Sequence, residues 1–297
     1  MVKRLQRLVI YVKIIKQFAE VVIMLVEKID LYAYFNIPKP EKAEGFLTVY
    51  CLDNFTEIDT KRVRPAMLVI PGGGYAFVSD REGESIAMAY LSHGFQAFLL
   101  KYSVAPDFVY PTQFREAAMA MIFIRENAKK YHVDPDQVAS IGFSAGGHLC
   151  GCLGNLFNSP VISDLRNCDF ARPTAVVLSY PVTVFGEHSH LGSFKNLTAN
   201  NDELANTLSL EKCVTHFSSP AFLWHTANDP IVPVVGTLML ARKYAENDVP
   251  FALHVFGNGP HGISTASDEV NSPNAHVAKW IDLSINWLEE RGFKIFS

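Results

Sequence analysis

A serine lies between two glycines in the GFSAG motif at residues 142–146, at a spacing typical of a catalytic nucleophile. An apolar run at residues 138–141 precedes the motif, and a helical pattern at residues 148–157 follows it. Ser144 is therefore expected on a sharp turn between a buried strand and a helix, where the glycines permit close backbone contact and positive φ. The alternative is a strand-to-helix turn in which glycine serves flexibility alone. The context favours Ser144 as a nucleophile for acyl transfer.

A serine hydroxyl is a weak nucleophile near neutral pH, so a histidine must accept its proton and a carboxylate must orient that histidine. Asp229 follows an apolar run at residues 222–224, and His261 follows the next run at residues 252–255. Both side chains are expected at the carboxyl ends of parallel strands, on the sheet edge that holds Ser144. Taken singly, Asp229 could be an ordinary turn residue and His261 an ordinary loop residue. Their order along the chain predicts a triad of Ser144, Asp229 and His261.

Other titratable residues compete for the roles of acid and base. The competing candidates are His148, His225, Asp202 and Asp268. His148 lies four residues after Ser144 on the same helical pattern, which favours a structural histidine over a base. His225 ends a predicted strand, where it either lines a substrate pocket or packs in the core. We assign His225, together with Tyr75, to the substrate pocket.

Acyl transfer also needs backbone N–H groups that stabilise the oxyanion, each contributing about 3–4 kcal/mol in comparable sites. The glycine-rich run at residues 71–75 follows a predicted strand at residues 67–70. We expect the amides of Gly73, Gly74 and Ala145 to be the donors, with the choice between the two glycines left open. A phosphate-binding loop is the alternative, but no GK[ST] or GxGxxG pattern follows the glycines.

The rest of the chain alternates short apolar runs with helical patterns. Six runs have the character of buried parallel strands, at residues 67–70, 97–100, 138–141, 175–178, 222–224 and 252–255. Helical patterns follow Pro111 and cover residues 234–246 and 275–291. Two earlier runs, residues 28–35 and 46–52, predict an antiparallel pair at a sheet edge. The chain is therefore expected to form an α/β fold with a mostly parallel central sheet of about eight strands and helices on both faces.

Two segments depart from this alternation. Residues 1–26 begin like a signal peptide, but charged residues interrupt the apolar stretch, and it is too short to span a membrane, which requires about 20 residues. A frayed or packed appendage is the simpler interpretation, and an amphipathic helix on a membrane or over the site is the alternative. Residues 179–219 form a long polar insertion, which predicts a cap. We expect residues 27–297 to form a single domain with this cap-like insertion.

Composition limits the classes of partner. The 297 residues are 49% hydrophobic and carry a formal net charge of −4, so no global positive charge attracts nucleic acid or anionic lipid. The five cysteines are an odd number without a CxxC pair, which favours reduced thiols and a cytoplasmic location. The composition predicts a soluble protein with no nucleic-acid partner and no transmembrane span.

The motifs together resemble those of the α/β-hydrolase superfamily, and within it the esterases and lipases whose oxyanion loop reads HGGG. A bacterial branch of acetyl esterases, xylan esterases and sugar-ester hydrolases is similar in pattern. The matching pieces are PGGGY at residues 71–75, REGE at residues 81–84, GFSAGGHL at residues 142–149 and the loops of Asp229 and His261. Pro71 departs from the histidine of HGGG, so a side chain that braces the oxyanion loop is missing. The resemblance covers residues 28–292.

The resemblance implies a serine carboxylesterase that cleaves short-acyl esters, acetyl above all, with sugars among the candidate alcohols. A small-molecule ester is the expected partner, and no metal or organic cofactor is expected. The oligomeric state is left open, a homodimer included. One alternative is a peptidase of the prolyl-oligopeptidase type, although the residues ahead of Lys28 are too few for its propeller. The other is a non-catalytic binding module, which the intact triad disfavours.

Overall fold

The computed structural model of the chain describes residues 24–295, in which eight strands form one sheet. The strands are β1 (Met24–Asp30), β2 (Phe46–Leu52), β3 (Arg64–Ile70), β4 (Gln96–Lys101), β5 (Val133–Phe143), β6 (Val176–Ser179), β7 (Ala221–Thr226) and β8 (Phe251–Phe256). Their order across the sheet is β1-β2-β4-β3-β5-β6-β7-β8. Strand β2 is antiparallel to both β1 and β4, and every other pair is parallel. The predicted, mostly parallel sheet is confirmed.

Helices connect the strands and cover the sheet. In chain order they are α1 (Leu31–Phe35), α2 (Glu84–Ser92), α3 (Thr112–Glu126), α4 (Ala145–Asn155), α5 (Leu191–Thr198), α6 (Asp202–Thr207), α7 (Leu210–Cys213), α8 (Val234–Glu246) and α9 (Trp280–Glu290). The helix predicted over residues 234–246 agrees with α8 at both ends. The helix predicted over residues 275–291 begins instead with a 3₁₀ turn, Val277–Lys279, and continues as α9.

Two apolar cores lie on opposite faces of the sheet, because successive side chains of a strand point to opposite sides. In β3, Leu68 packs in the core that includes buried side chains of α3 and α4. Its neighbours Met67 and Val69 belong to the other core, with side chains of α2 and α9. Burial on both faces explains why these strands appear in the sequence as continuous apolar runs.

The strand predicted over residues 28–35 is wrong in its second half. Strand β1 ends at Asp30, and the carboxylate of Asp30 accepts a hydrogen bond from Ala33 N at 3.2 Å, which caps α1. Asn36 adopts the left-handed conformation and ends this short helix. The residue alternation resembles a strand, but these local caps favour a helix.

A buried carboxylate on α3 holds α1 in place. Glu116 is fully buried, and its Oε1 accepts hydrogen bonds from Tyr32 OH at 2.9 Å and Ser103 Oγ at 2.6 Å. Its Oε2 accepts from Ser103 N at 2.6 Å. Three donors offset the cost of removing this carboxylate from water. The cluster joins α1 and α3 to the backbone just after β4.

The chain leaves the sheet between β6 and β7 and forms α5, α6 and α7 at residues 180–219, which we call the insertion. This is the segment predicted to be cap-like. The predicted extension, residues 1–26, lies outside the described residues apart from its last three, which begin β1. The division into an extension and a single capped domain stays a prediction. No helix within residues 24–295 combines the length and hydropathy needed to cross a membrane.

Replacing Glu116 with alanine should lower the free energy of unfolding by about 2–4 kcal/mol, because a buried N–H and two buried hydroxyls lose their acceptor. Glu116→Gln retains an acceptor and should cost less. Urea denaturation followed by circular dichroism measures both changes. The exposed Glu41 provides the control, since Glu41→Ala should change the value by less than about 0.5 kcal/mol. Equal losses in the Glu116 and Glu41 variants would contradict the role of the cluster.

Candidate active site

Ser144, Asp229 and His261 meet at the carboxyl ends of parallel strands. Ser144 directly follows β5, Asp229 comes three residues after β7, and His261 comes five residues after β8. A cleft of about 430 Å³ opens at this edge of the sheet. The residues that line it are Gly73, Gly74, Ala76, Phe77, Ser79, Arg81, Glu82, Ser144, His190, Gly192, Asn196, Ile231, His261 and Gly262.

Ser144 itself carries the backbone strain of the turn. Its φ of 53° and ψ of −120° are values that residues with a side chain rarely adopt. The Ser144 amide donates to Ser179 O at 3.0 Å, and the Ser144 carbonyl accepts from His148 N and Val182 N. These hydrogen bonds to α4 and to the residues around the end of β6 hold the strained conformation.

The glycines on either side of Ser144 serve close backbone contact. A Cβ at Gly142 would lie 2.1 Å from Gly146 O, and a Cβ at Gly146 would lie 2.3 Å from the carbonyl oxygens of Ile70 and Pro71. Neither glycine has a positive φ, so that part of the sequence-based expectation is wrong. The strand β3, the turn and α4 approach so closely that no side chain fits between them.

A continuous hydrogen-bond chain links the three predicted triad residues. His261 Nε2 lies 2.8 Å from Ser144 Oγ, and His261 Nδ1 lies 2.7 Å from Asp229 Oδ2. Because a carboxylate only accepts, Nδ1 carries the proton and Nε2 is the acceptor that faces the serine hydroxyl. The arrangement is suited to removal of the serine proton by His261.

Asp229 is buried and strongly hydrogen-bonded. Its side chain is 1% exposed, and its Oδ1 accepts from the amides of Ile231 at 2.9 Å and Val232 at 3.0 Å. Burial acts to raise the pKa of Asp229, but the hydrogen bonds from His225, His261 and Val232 outweigh it and hold the pKa well below its usual range. Asp229 therefore stays ionised beside His261.

The predicted oxyanion donors lie next to Ser144 in sequence or in the cleft. Gly73 and Gly74 line the cleft with φ of 123° and 62°, positive values that favour glycine. Ala145 is the first residue of α4, so its amide has no acceptor within the helix. No hydrogen bond among residues 24–295 uses the amides of these three residues. They are available to a substrate oxygen.

Three contacts brace the glycine loop, residues 71–75, in which proline replaces the histidine of HGGG. Tyr102 OH donates to Pro71 O at 2.8 Å, and Asn196 Nδ2, on α5 of the insertion, donates to Gly74 O at 2.8 Å. The amide of Gly72 donates to Glu82 Oε2 at 2.8 Å. The loop is therefore held at its first, second and fourth residues without a histidine.

The BD-FAE protein family matches residues 52–244, which is more than half of the chain. The chain belongs to the BD-FAE family. The matched segment runs from the end of β2 into α8 and contains Ser144 and Asp229, whereas His261 lies beyond it.

Two curated relatives of this BD-FAE protein are larger proteins. The chain is 39% identical to endo-1,4-beta-xylanase B of Butyrivibrio fibrisolvens over 69% of this chain and 33% of that protein. It is 29% identical to an acetylxylan esterase of Xylanibacter ruminicola over 66% of this chain and 40% of that protein. The chain thus spans well under half the length of either relative.

Solved structures resemble the BD-FAE chain over nearly its whole length. An acetyl ester-xyloside bifunctional hydrolase from Caldicellulosiruptor lactoaceticus has a TM-score of 0.81 at 32% identity, covering 92% of this chain and 99% of that one. A carboxylesterase from Lactobacillus plantarum WCFS1 has a TM-score of 0.76 at 28% identity, covering 91% and 98%. These similarities confirm the α/β-hydrolase fold and the predicted resemblance to acetyl and xylan esterases.

Tyr75 and His225, assigned to the substrate pocket from the sequence, lie beneath the cleft and do not line it. Tyr75 is 1% exposed, and its hydroxyl donates to His148 Nδ1 at 2.8 Å, while His148 Nε2 donates to Leu208 O. His225 is fully buried between Thr237 and the Val232 carbonyl. Both residues lie close in sequence to site residues, but their rings point into the core, so the sequence position was misleading. His148 is structural, as the sequence indicated.

Several residues around the cleft were not predicted as site residues. They are Glu82, Tyr180, His190 and Asn196. Glu82 was visible only as part of the matching REGE run at residues 81–84, which gave no role for its carboxylate. His190 and Asn196 lie in the irregular insertion, where no periodic pattern indicates which side chains turn toward Ser144. Among residues 24–295, no group of three or more His, Cys, Asp or Glu side chains is arranged to hold a metal ion.

Gly146→Ala should destabilise this BD-FAE protein by about 2–4 kcal/mol, because the added methyl would contact two backbone carbonyls that cannot move independently of β3. Gly257→Ala is the matched control, since a Cβ there would meet nothing within 4 Å. Urea denaturation of both variants measures the difference. A Gly146 variant as stable as the Gly257 variant would be inconsistent with the packing at the turn.

Acidification should destabilise the protein through His148. Burial lowers the pKa of His148 to about 4 from a usual value of 6.5, although its hydrogen bond to Leu208 opposes the shift. The unfolded chain therefore binds this proton at a higher pH, and the free energy of unfolding should fall by up to about 3 kcal/mol between about pH 6.5 and pH 4.

Urea denaturation at several pH values across this window tests the expectation. His148→Gln should be less stable near neutral pH but should lose less stability on acidification. His216→Gln, at an exposed position, should retain the full pH dependence. The same pH dependence in the His148 variant as in the original protein would rule out His148 as its source.

Proposed function

We propose that this BD-FAE protein is a serine carboxylesterase that hydrolyses small short-acyl esters, acetyl esters above all, with sugars as candidate alcohols. The observation that carries the proposal is the hydrogen-bond chain from Asp229 through His261 to Ser144 Oγ, which ends in a cleft of about 430 Å³. Esterases and an acetylxylan esterase among the relatives support the same class of substrate.

In the first half-reaction, His261 Nε2 accepts the proton of Ser144 as its Oγ attacks the ester carbonyl carbon. The carbonyl oxygen becomes an oxyanion and accepts hydrogen bonds from the amides of Ala145 and of Gly73 or Gly74. The tetrahedral intermediate then breaks its bond to the alcohol oxygen. His261 gives the proton to that oxygen, and the acyl group remains on Ser144.

In the second half-reaction, His261 accepts a proton from water as the water oxygen attacks the acyl carbon. Collapse of the second intermediate releases the carboxylic acid and returns the proton to Ser144 Oγ. Asp229 holds the histidine tautomer in which Nε2 is the acceptor and stabilises the protonated ring. The depressed pKa of Asp229 keeps this negative charge present at neutral pH.

The residues at the rim of the cleft support the proposal that the alcohol part of the substrate is a sugar. Phe77 and Ile231 both line the cleft and are 61% and 50% exposed, so apolar surface is available to a bound ring. His190 and Asn196 bring polar groups from the insertion. His190 Nδ1 lies 2.8 Å from Ser193 Oγ, and the other ring nitrogen is suited to a hydroxyl group.

The cytoplasmic location stays a prediction.

Ser144→Ala should reduce hydrolysis of p-nitrophenyl acetate by at least about 10³-fold, because the acyl-enzyme cannot form. Asp229→Asn should reduce the rate of hydrolysis by about 10⁴-fold, because the amide no longer holds His261 in the tautomer whose Nε2 accepts the serine proton. Spectrophotometric release of p-nitrophenol measures both rates. Ser163→Ala, an exposed serine distant in sequence from the cleft, should retain full activity. Unchanged turnover in the Ser144 variant would contradict the proposed function.

A substrate panel distinguishes the finer proposals. The wild-type protein should cleave p-nitrophenyl acetate faster than the octanoate, and should release acetate from acetylated methyl xyloside. Preference for the octanoate would contradict the short-acyl assignment. Hydrolysis of peptide p-nitroanilides in place of esters would support the peptidase alternative, and binding of acetylated sugar without turnover would support the binding module.

A further inference from the structure

We propose that Glu82 is a positioning residue that joins the loop of the oxyanion donors to the loop of His261, an inference that rests on the proposed esterase function. The Glu82 carboxylate is 3% exposed, and its two oxygens accept hydrogen bonds from two different segments. The esterase mechanism assigns it no proton transfer, so its burial at the cleft requires another explanation.

One carboxylate oxygen fixes the glycine loop. Glu82 Oε2 accepts from Gly72 N at 2.8 Å, immediately before the two glycines whose amides remain available. A Cβ at Gly72 would lie 2.8 Å from this oxygen and 2.9 Å from Ser144 Cβ. Gly72 is thus held between the carboxylate and the nucleophile, and the bond sets the plane of the peptide between Pro71 and Gly72, one residue ahead of Gly73.

The other oxygen fixes the segment after His261. Glu82 Oε1 accepts from Tyr180 OH at 2.7 Å, and the same phenol oxygen accepts from Ser264 N at 3.0 Å. The ring of Tyr180 packs edge-to-face against His261, with centroids 5.1 Å apart. Tyr180 therefore connects Glu82 both to the imidazole and to the backbone three residues beyond it.

The charge of Glu82 also bears on the reaction. Burial raises the pKa of Glu82 above its usual value, and the hydrogen bonds from Tyr180 and Gly72 and the charges of His261 and Arg81 only partly oppose this shift. Both carboxylate oxygens accept hydrogen bonds, which favours the ionised form. A carboxylate and a protonated His261 attract each other, and His261 is protonated only after it has taken the serine proton. The attraction therefore favours the transition state over the resting enzyme.

The contrast with Glu116 separates this role from ordinary structural burial. Glu116 is equally buried and accepts three hydrogen bonds, but its donors on Tyr32 and Ser103 belong to the packing of α1. The donors to Glu82 belong instead to the glycine loop and to Tyr180, which contacts His261. Loss of Glu82 should therefore misalign two parts of the site at once.

The test compares the full-length wild-type protein with Glu82→Gln, Tyr180→Phe and the double variant, using p-nitrophenyl acetate. Glu82→Gln should lower kcat by about 10–100-fold and change KM by less than about threefold, because the lost alignment matters mainly in the transition state. The inhibition constant of phenylboronic acid, which forms a tetrahedral adduct on serine, should rise by a similar factor. The double variant should lose less than the product of the single losses.

Glu84→Gln is the matched control, because this carboxylate lies two residues away and accepts from Tyr50 OH, outside the proposed machinery. Its kcat should remain within about twofold of wild type. Titration of active sites with a fluorophosphonate separates slow enzyme from misfolded enzyme. The labelled fraction should be unchanged in Glu82→Gln, and if that variant fails to fold, Tyr180→Phe supplies the same comparison.

Three results would overturn the inference. They are a folded Glu82→Gln with wild-type kcat, a loss that appears only in KM, and a loss fully explained by a smaller labelled fraction. If the wild-type protein neither cleaves the ester nor reacts with the fluorophosphonate, the esterase function fails and the positioning role fails with it. An active wild type with an equally active Glu82→Gln contradicts the positioning role alone.

Discussion

The contact between the Gly146 backbone and the carbonyl oxygens of Ile70 and Pro71 is the constraint on which the site depends. It leaves no space for a side chain and brings the end of β3 against the turn that carries Ser144. The loop with the amide donors is therefore packed directly against the turn that carries the nucleophile. The strained backbone at Ser144 persists because hydrogen bonds to Ser179 and Val182 stabilise it from the neighbouring strand.

Two buried carboxylates act on His261 in different ways. Asp229 bonds directly to the ring and receives backbone amides on its other oxygen, so its position depends on the turn after β7. Glu82 acts on His261 through Tyr180, and its other oxygen holds the glycine loop. The proposed chemistry thus draws on residues after β3, β5, β6, β7 and β8, and the parallel sheet is what brings these distant segments to one edge.

The sequence predicts the sheet and the meeting of Ser144, Asp229 and His261, because strand ends in a parallel sheet share an edge and apolar runs mark the strands. It does not predict α1, since the cap from Asp30 outweighs the alternating pattern of residues 28–35. It also misplaces Tyr75. Which way a side chain turns from a loop depends on contacts such as its hydrogen bond to His148, from a segment about 70 residues away. Spacing along the chain carries no information about such contacts.

The hydrogen bond from Asn196 to Gly74 O connects the insertion to the loop of the oxyanion donors. Insertions of this kind are where related enzymes diverge in sequence and length. Here, divergence in α5 would also displace the Gly74 carbonyl, in the loop of the proposed oxyanion donors. A change in the insertion that alters substrate selectivity would then also alter the reaction rate. Transfer of this insertion to another hydrolase would have to include the glycine loop, residues 71–75, that it contacts.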